Sequence, residues 1–136
     1  MLKGGGGVDR LIGDAGRDIM VGGAQRDIFD FDSYKHAGIG STRDRITDFQ
    51  RGIDDIDLST IDANGTASGS GAFKFQSGQG ADFTGVRGQL HFHYLNRPGT
   101  ANDRTIIEGD LNGDRRADFQ IEFVGLKALT KADFIL

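Results

Sequence analysis

Cysteine is absent from the 136-residue chain, which excludes disulfides, cysteine-ligated zinc and thiol nucleophiles together. Proline occurs once and no Gly-x-y period is present, so neither a proline-rich linker nor a collagen-like rod is encoded. No apolar run approaches the roughly 18 residues that a membrane-spanning helix needs. Met1-Leu2-Lys3 followed by four glycines lacks the hydrophobic stretch of a Sec signal peptide. Charge of either sign is modest: the net is −4 with a pI near 5.2, which argues against a dedicated nucleic-acid binder. What is plentiful is glycine, 22 residues, more than twice the usual share of about 7%. With 37% hydrophobic and 26% charged residues, the composition is that of a folding chain. Its length suits one domain that buries roughly two-thirds of its unfolded surface.

The glycines are periodic at the N-terminus. Asp9, Asp18 and Asp27 are nine residues apart, and Leu11, Met20 and Phe29 each follow an aspartate by two. The units read GGGGVDRLI (Gly4 to Ile12), GDAGRDIMV (Gly13 to Val21) and GGAQRDIFD (Gly22 to Asp30). All fit GGxGxDxUx, with U a large apolar residue, a calcium-binding parallel β-helix signature. Asp14 and Gln25 depart from it, each standing where the pattern has glycine. A glycine linker has no reason to keep Leu11, Met20 and Phe29 in register.

These units resemble the RTX (repeats-in-toxin) family. In such a unit the first six residues make a turn and the last three a short strand, with the apolar residue turned inward. Two units complete one coil, so units one and three stack. Calcium takes six to eight hard oxygens, more than one turn supplies. The expectation is one complete site between Asp9 and Asp27, with carbonyls of Gly4, Gly5, Gly7, Gly22 and Gly23. Asp18, in the turn with Gly13 and Gly16, supplies half a site. Asp44 either provides the missing carboxylate opposite Asp18 or is a strand-entry residue.

From Phe31 onward the texture changes to strands and turns. Asp44 to Ser59 reads DRITDFQRGIDDIDLS, with a turn at Gln50-Arg51-Gly52. Together with the repeats, Ala72-Phe73-Lys74-Phe75 and the stretch from Asp118 to Gly125, it resembles the C-terminal domain of serralysin-type secreted metalloproteases. The resemblance implies an all-β fold: a short parallel β-roll, residues 1–31, continuing into an antiparallel β-sandwich, residues 32–136, as one structural unit. Alternation supports strands independently: Leu90, Phe92 and Tyr94 share one face, and Phe119, Ile121 and Phe123 another. Asn112-Gly113 is a hairpin signal between Thr105-Ile106-Ile107 and the second of these. Single helical turns are expected at most, over residues 59–63 and 129–133.

Serralysin catalysis needs HExxHxxGxxH. The three histidines are His36, His91 and His93, and no HExxH exists, so no protease activity is expected. His91 and His93 point the same way on a strand and could chelate zinc, but with no third ligand evident they read as exposed or sandwich-edge histidines. Asp54, Asp55 and Asp57 read as a solvated acidic strand face. Asp110, Asn112, Asp114 and Asp118 fit the oxygen-rich spacing DxNxDxxxD. It resembles an integrin-type calcium loop, with Arg115 where that loop has glycine. The alternative is a polar hairpin tip facing water.

The chain ends Asp133-Phe134-Ile135-Leu136. An acidic residue followed by three apolar ones resembles the secretion signal of serralysin-type substrates, which leave Gram-negative bacteria by a type I, ABC-transporter route. The reading is thus a secreted, extracellular calcium-binding module that folds on meeting calcium. The alternatives are an adhesion or polysaccharide-binding module, or the C-terminal part of a protease whose catalytic domain lies upstream. The start of the chain directly on a repeat suits the latter.

Overall fold

The computed structural model describes residues 1–65, 71–96 and 101–136. Strands alternate between two sheets from the first repeat. β1 (Leu2–Gly6) and β3 (Ile19–Ala24) lie in one, β2 (Arg10–Ile12) and β4 (Ile28–Asp30) in the other. Pairing is parallel, with Leu2 opposite Met20 and Leu11 opposite Phe29. Each offset is two nonapeptides, so two units make one coil, as the period predicts.

The parallel ladders continue past the last repeat. A connection carries α1 (Tyr34–Ala37), capped by the Ser33 side chain accepting from the Lys35 N–H. Then β5 (Asp44–Ile46) pairs with β3 and β6 (Asp55–Asp57) with β4, both parallel. The coil has widened, since Met20 now faces Ile46 and Phe29 faces Ile56.

Beyond them come β7 (Lys74–Gln79), β8 (Gln89–Leu95), β9 (Arg104–Asp110), β10 (Phe119–Val124) and the C-terminal β11 (Phe134–Ile135). Among the described residues the larger sheet has seven strands, ordered β1-β3-β5-β10-β9-β8-β7, and the smaller four, β11-β6-β4-β2. β9 pairs antiparallel with both β8 and β10, and it joins β10 through the expected Asn112-Gly113 turn region. β7 pairs parallel with β8. Besides α1, short 3₁₀ turns occur at Gly40–Thr42 and Lys131–Asp133. No helix among the described residues is long and apolar enough to cross a membrane.

In-register pairing stacks the inward apolar residues into two columns. One runs Leu2, Met20, Ile46 and Phe123; the other runs Leu11, Phe29, Ile56 and Phe134. Both belong to one core shared by the two sheets. Phe49 joins them, its ring 6.2 Å from that of Phe29 and 5.1 Å from that of Phe123. Each short strand gives the roll one inward side chain, so its own core is thin and leans on the larger one beside it.

Two expectations need correcting. Asp54 and Asp57 are buried, at 2% and 5% exposure, and do not form a solvated face: the coil turns them toward neighbouring donors, described below. His91 is buried at 5% and lies on β8, an interior strand held between β7 and β9, so it is neither exposed nor at a sheet edge.

Candidate cation sites on the aspartate columns

At the turns where one sheet passes to the other, the repeat aspartates stack. In one column the Asp9 N–H donates to Asp27 Oδ1 and the Asp27 N–H to Asp54 Oδ1, both at 3.0 Å. In the other the Asp18 N–H donates to Asp44 Oδ1 at 2.7 Å. Asp27 and Asp44 are fully buried. Each holds the preceding coil in place with one oxygen and keeps the second. Oδ2 of Asp9, Asp27 and Asp44 is buried and has no hydrogen-bond partner among the described residues. Leaving such an oxygen unsatisfied is costly. Asp54 closes its column, because its Oδ2 accepts from the Gln50 N–H at 2.8 Å.

Glycine is required at Gly4 and Gly22, which flank two of these oxygens. A Cβ on Gly4 would lie 2.6 Å from both Asp9 Oδ2 and the Gly22 carbonyl oxygen, and one on Gly22 would collide with Asp27 Oδ2. At Gly13 a Cβ would stand 3.3 Å from Asp44 Oδ2 and 3.5 Å from Asp18 Oδ2. The structure therefore brings Gly4, Asp9, Gly22 and Asp27 together on one side and Gly13, Asp18 and Asp44 on the other. Gly5, Gly7, Gly16 and Gly23 serve the turn backbone with φ between 106° and 118°. Asp14 and Gln25, which replace glycines at equivalent positions, keep positive φ at 57° and 77°, a region that costs L-residues roughly 1–2 kcal/mol.

Burial pushes the Asp44 carboxyl up to about 7, against the hydrogen bond from the Asp18 N–H and reinforced by the Asp18 charge. Burial also raises Asp54. Carboxylates, peptide carbonyls and no nitrogen or sulfur form a donor set that fits a hard divalent cation. The orphaned oxygens are what such an ion would satisfy.

Neighbouring acids are committed elsewhere. Asp48 accepts from the N–H groups of Gly22 and Gly23 at 2.9 and 2.8 Å. Arg10 bridges Asp30 and Asp57 at 2.8 and 3.2 Å, and Arg26 pairs with Asp55. Neither Asp48 nor Asp54 was picked out as a site residue by sequence. For Asp54 a signal exists: Gly52, Asp54 and Ile56 repeat the Gly-x-Asp-x-apolar half of the unit, as Asp44 and Ile46 repeat its Asp-x-apolar end.

The Asp110 loop is internally hydrogen-bonded. Asp110, fully buried, accepts from the N–H groups of Gly113 and Arg115 at 2.6 and 2.9 Å. Asp118 accepts from the Leu111 N–H at 2.7 Å and from Asn112 Nδ2 at 3.0 Å. Asn112 Oδ1 takes the Asp114 N–H, and Asp114 Oδ1 the Arg116 N–H. Arg115 adopts the φ of +69° that glycine would supply. These four side chains lie close together, each with oxygen engaged by the loop itself.

The C-terminus is an ordered edge. Asp133 is buried and accepts from the Thr130 N–H at 2.7 Å and the Gly52 N–H at 3.1 Å. Phe134 lies opposite Ile56, Ile135 opposite Asp57, and Leu136 packs partly against the core.

A family model described as peptidase M10 serralysin C terminal matches residues 3–136. Among solved structures, the chain is similar to the solution structure of the AlgE6R3 subunit from the Azotobacter vinelandii mannuronan C5-epimerase. The TM-score is 0.63 at 25% identity, covering 98% of this chain and 66% of that one. No match is found among curated proteins.

Proposed function

Since the chain belongs to the peptidase M10 serralysin C-terminal family, we propose that it is the calcium-binding, non-catalytic module of a secreted bacterial protein. It folds when calcium fills the aspartate columns, and it leaves a Gram-negative cell by a type I, ABC-transporter route read from its C-terminus. The observation that carries this reading is the set of buried, unpartnered oxygens on Asp9, Asp27 and Asp44. Gly4, Asp9, Gly22 and Asp27 would hold one ion, and Gly13, Asp18 and Asp44 another.

Calcium supplies positive charge that offsets repulsion between stacked carboxylates and the cost of burying them. The chain supplies the turns that set their spacing. Sites of extracellular type have Kd values of roughly 10⁻⁴–10⁻³ M. Inside a cell they stay unfilled, and the thin roll stays loose enough to be threaded outward. Outside, calcium at about ten times Kd adds about 1.4 kcal/mol per site. Two such sites matter to a domain whose total stability is about 5–15 kcal/mol. The Asp133–Leu136 segment, with β11 at Phe134–Ile135, fits a tail that is read before folding and packed after it.

Calorimetric calcium titration of Asp27→Ala and Asp114→Ala tests the assignment. The first should weaken binding far more, since Asp114 is exposed and its Oδ1 is engaged within its own loop. Equal effects would overturn the placement of the sites.

A second reading, an extracellular polysaccharide-binding module, is favoured by one feature. Arg43, Arg45 and Arg104 converge on Glu122 beside a recess of about 310 Å³, leaving excess positive charge for an acidic chain. Retention on an acidic but not a neutral polysaccharide, lost in Arg104→Gln, would support it.

A further inference from the structure

Away from the aspartate columns, three metal-ligating side chains converge on the outer face of the larger sheet. Leu90 and Phe92 of β8 face the core, so the alternation of the strand sends His91 and His93 to the opposite face. Glu108 of β9 lies directly opposite His91 in the antiparallel register. Its Oε2 is 2.9 Å from His91 Nε2 and 3.6 Å from His93 Nδ1. One ligating atom from each of the three residues falls within 4.8 Å of the others.

Neighbours hold this arrangement. Gln120 on β10 donates from Nε2 to Glu108 Oε1 at 2.5 Å, which leaves Oε2 to the imidazoles. The Phe83 ring stacks on His91, with centroids 4.0 Å apart and planes at 14°, fixing the plane of the buried imidazole. His93 remains 31% exposed at its side chain, so the cluster opens to solvent on that side. Supporting contacts of this kind orient metal ligands.

We propose that His91, His93 and Glu108 bind one divalent transition-metal ion of the zinc class. Two imidazole nitrogens and one carboxylate oxygen suit zinc, which is commonly held by three protein ligands with a fourth position open. They do not suit calcium, which takes six to eight oxygens. Ligand atoms around a tetrahedral zinc with bonds of about 2.0–2.2 Å stand roughly 3.3 Å apart. The observed 2.9 and 3.6 Å bracket that spacing, and the partly exposed His93 can turn to close the set. This site does not depend on the calcium reading.

The test is a zinc titration of the full chain with calcium saturating, so that the aspartate columns are not in competition. One equivalent of zinc should bind. His93→Ala and Glu108→Gln should each weaken it at least about tenfold, the lower range for disturbing even a supporting residue of a metal site. His36→Ala should leave it unchanged. Cobalt(II) bound to the unaltered chain gives a readout that needs no variant: visible bands of a four- or five-coordinate, nitrogen-ligated ion. The absence of saturable zinc binding, binding indifferent to both variants, or the weak spectrum of a six-oxygen cobalt(II) complex would each overturn the proposal.

Discussion

The backbone N–H of Asp18 donates to Oδ1 of Asp44 at 2.7 Å across 26 residues, and the other oxygen of Asp44 is buried beside Gly13 with no hydrogen-bond partner among the described residues. Asp44→Asn keeps an acceptor for the Asp18 N–H and removes the charge. The expected result is the loss of one calcium equivalent in calorimetry with the remaining binding intact. Unchanged stoichiometry would show that Asp44 serves only the fold.

The same residue gives a pH dependence. Burial lifts its carboxyl to about 7 in the folded chain, well above its ordinary value near 3.8. The folded, metal-free chain therefore keeps a proton that the unfolded chain has lost. That contribution to stability is full below about pH 4 and is lost as pH rises through about 7. Without calcium, the proton partly stands in for it. In EGTA, lowering the pH from about 8 to about 5 should raise the thermal midpoint, and Asp44→Asn should remove most of that gain.

Gln25 is exposed and sits at φ 77°. Gln25→Gly should stabilise the calcium-loaded chain by up to about 1 kcal/mol, since relieving left-handed strain is partly offset by the freer unfolded backbone of glycine. Asp14→Gly should act in the same direction. The measurement is the thermal midpoint at fixed calcium.

Phe29 is fully buried between Leu11 and Ile56. Phe29→Ala should cost about 3–5 kcal/mol. Filling one site to about one hundred times Kd returns only about 2.7 kcal/mol, so moderate calcium should not restore the parental melting temperature.

Deletion of Asp133–Leu136 should stop export through a serralysin-type transporter, measured as protein in medium against cells. Because Phe134 also packs in the core, Asp133→Asn is the milder probe. Export of the deleted chain at the parental level would leave β11 with a structural role only.

The nine-residue spacing made the first coil legible: Asp9, Asp18 and Asp27 fall on the turns, and Leu11, Met20 and Phe29 face inward as the period requires. The next coil was harder to see because residues 31–43, carrying α1, break the nine-residue period, and Asp44 and Asp54 each keep one of the unit's three glycine positions, Gly40 and Gly52. Asp54 accordingly read as a surface acid although it completes the column above Asp27. The strands Leu90–Tyr94 and Phe119–Phe123 followed from alternation, but the parallel pairing of β7 with β8 did not. Phe75 and Leu90 carry no sign of direction in their own sequences. Glu108 escaped notice beside His91 for the same reason, since cross-strand register depends on how the hairpin closes rather than on spacing along the chain.

Calcium-dependent folding is tested most directly by circular dichroism melts of the whole chain in EGTA and in roughly 5–10 mM calcium, above the Kd range of weak extracellular sites. The aspartate columns predict that EGTA unfolds at least Gly4 to Phe31, and that added calcium restores the strand signal and raises the melting temperature. Identical spectra and identical melting temperatures in the two conditions would contradict the account.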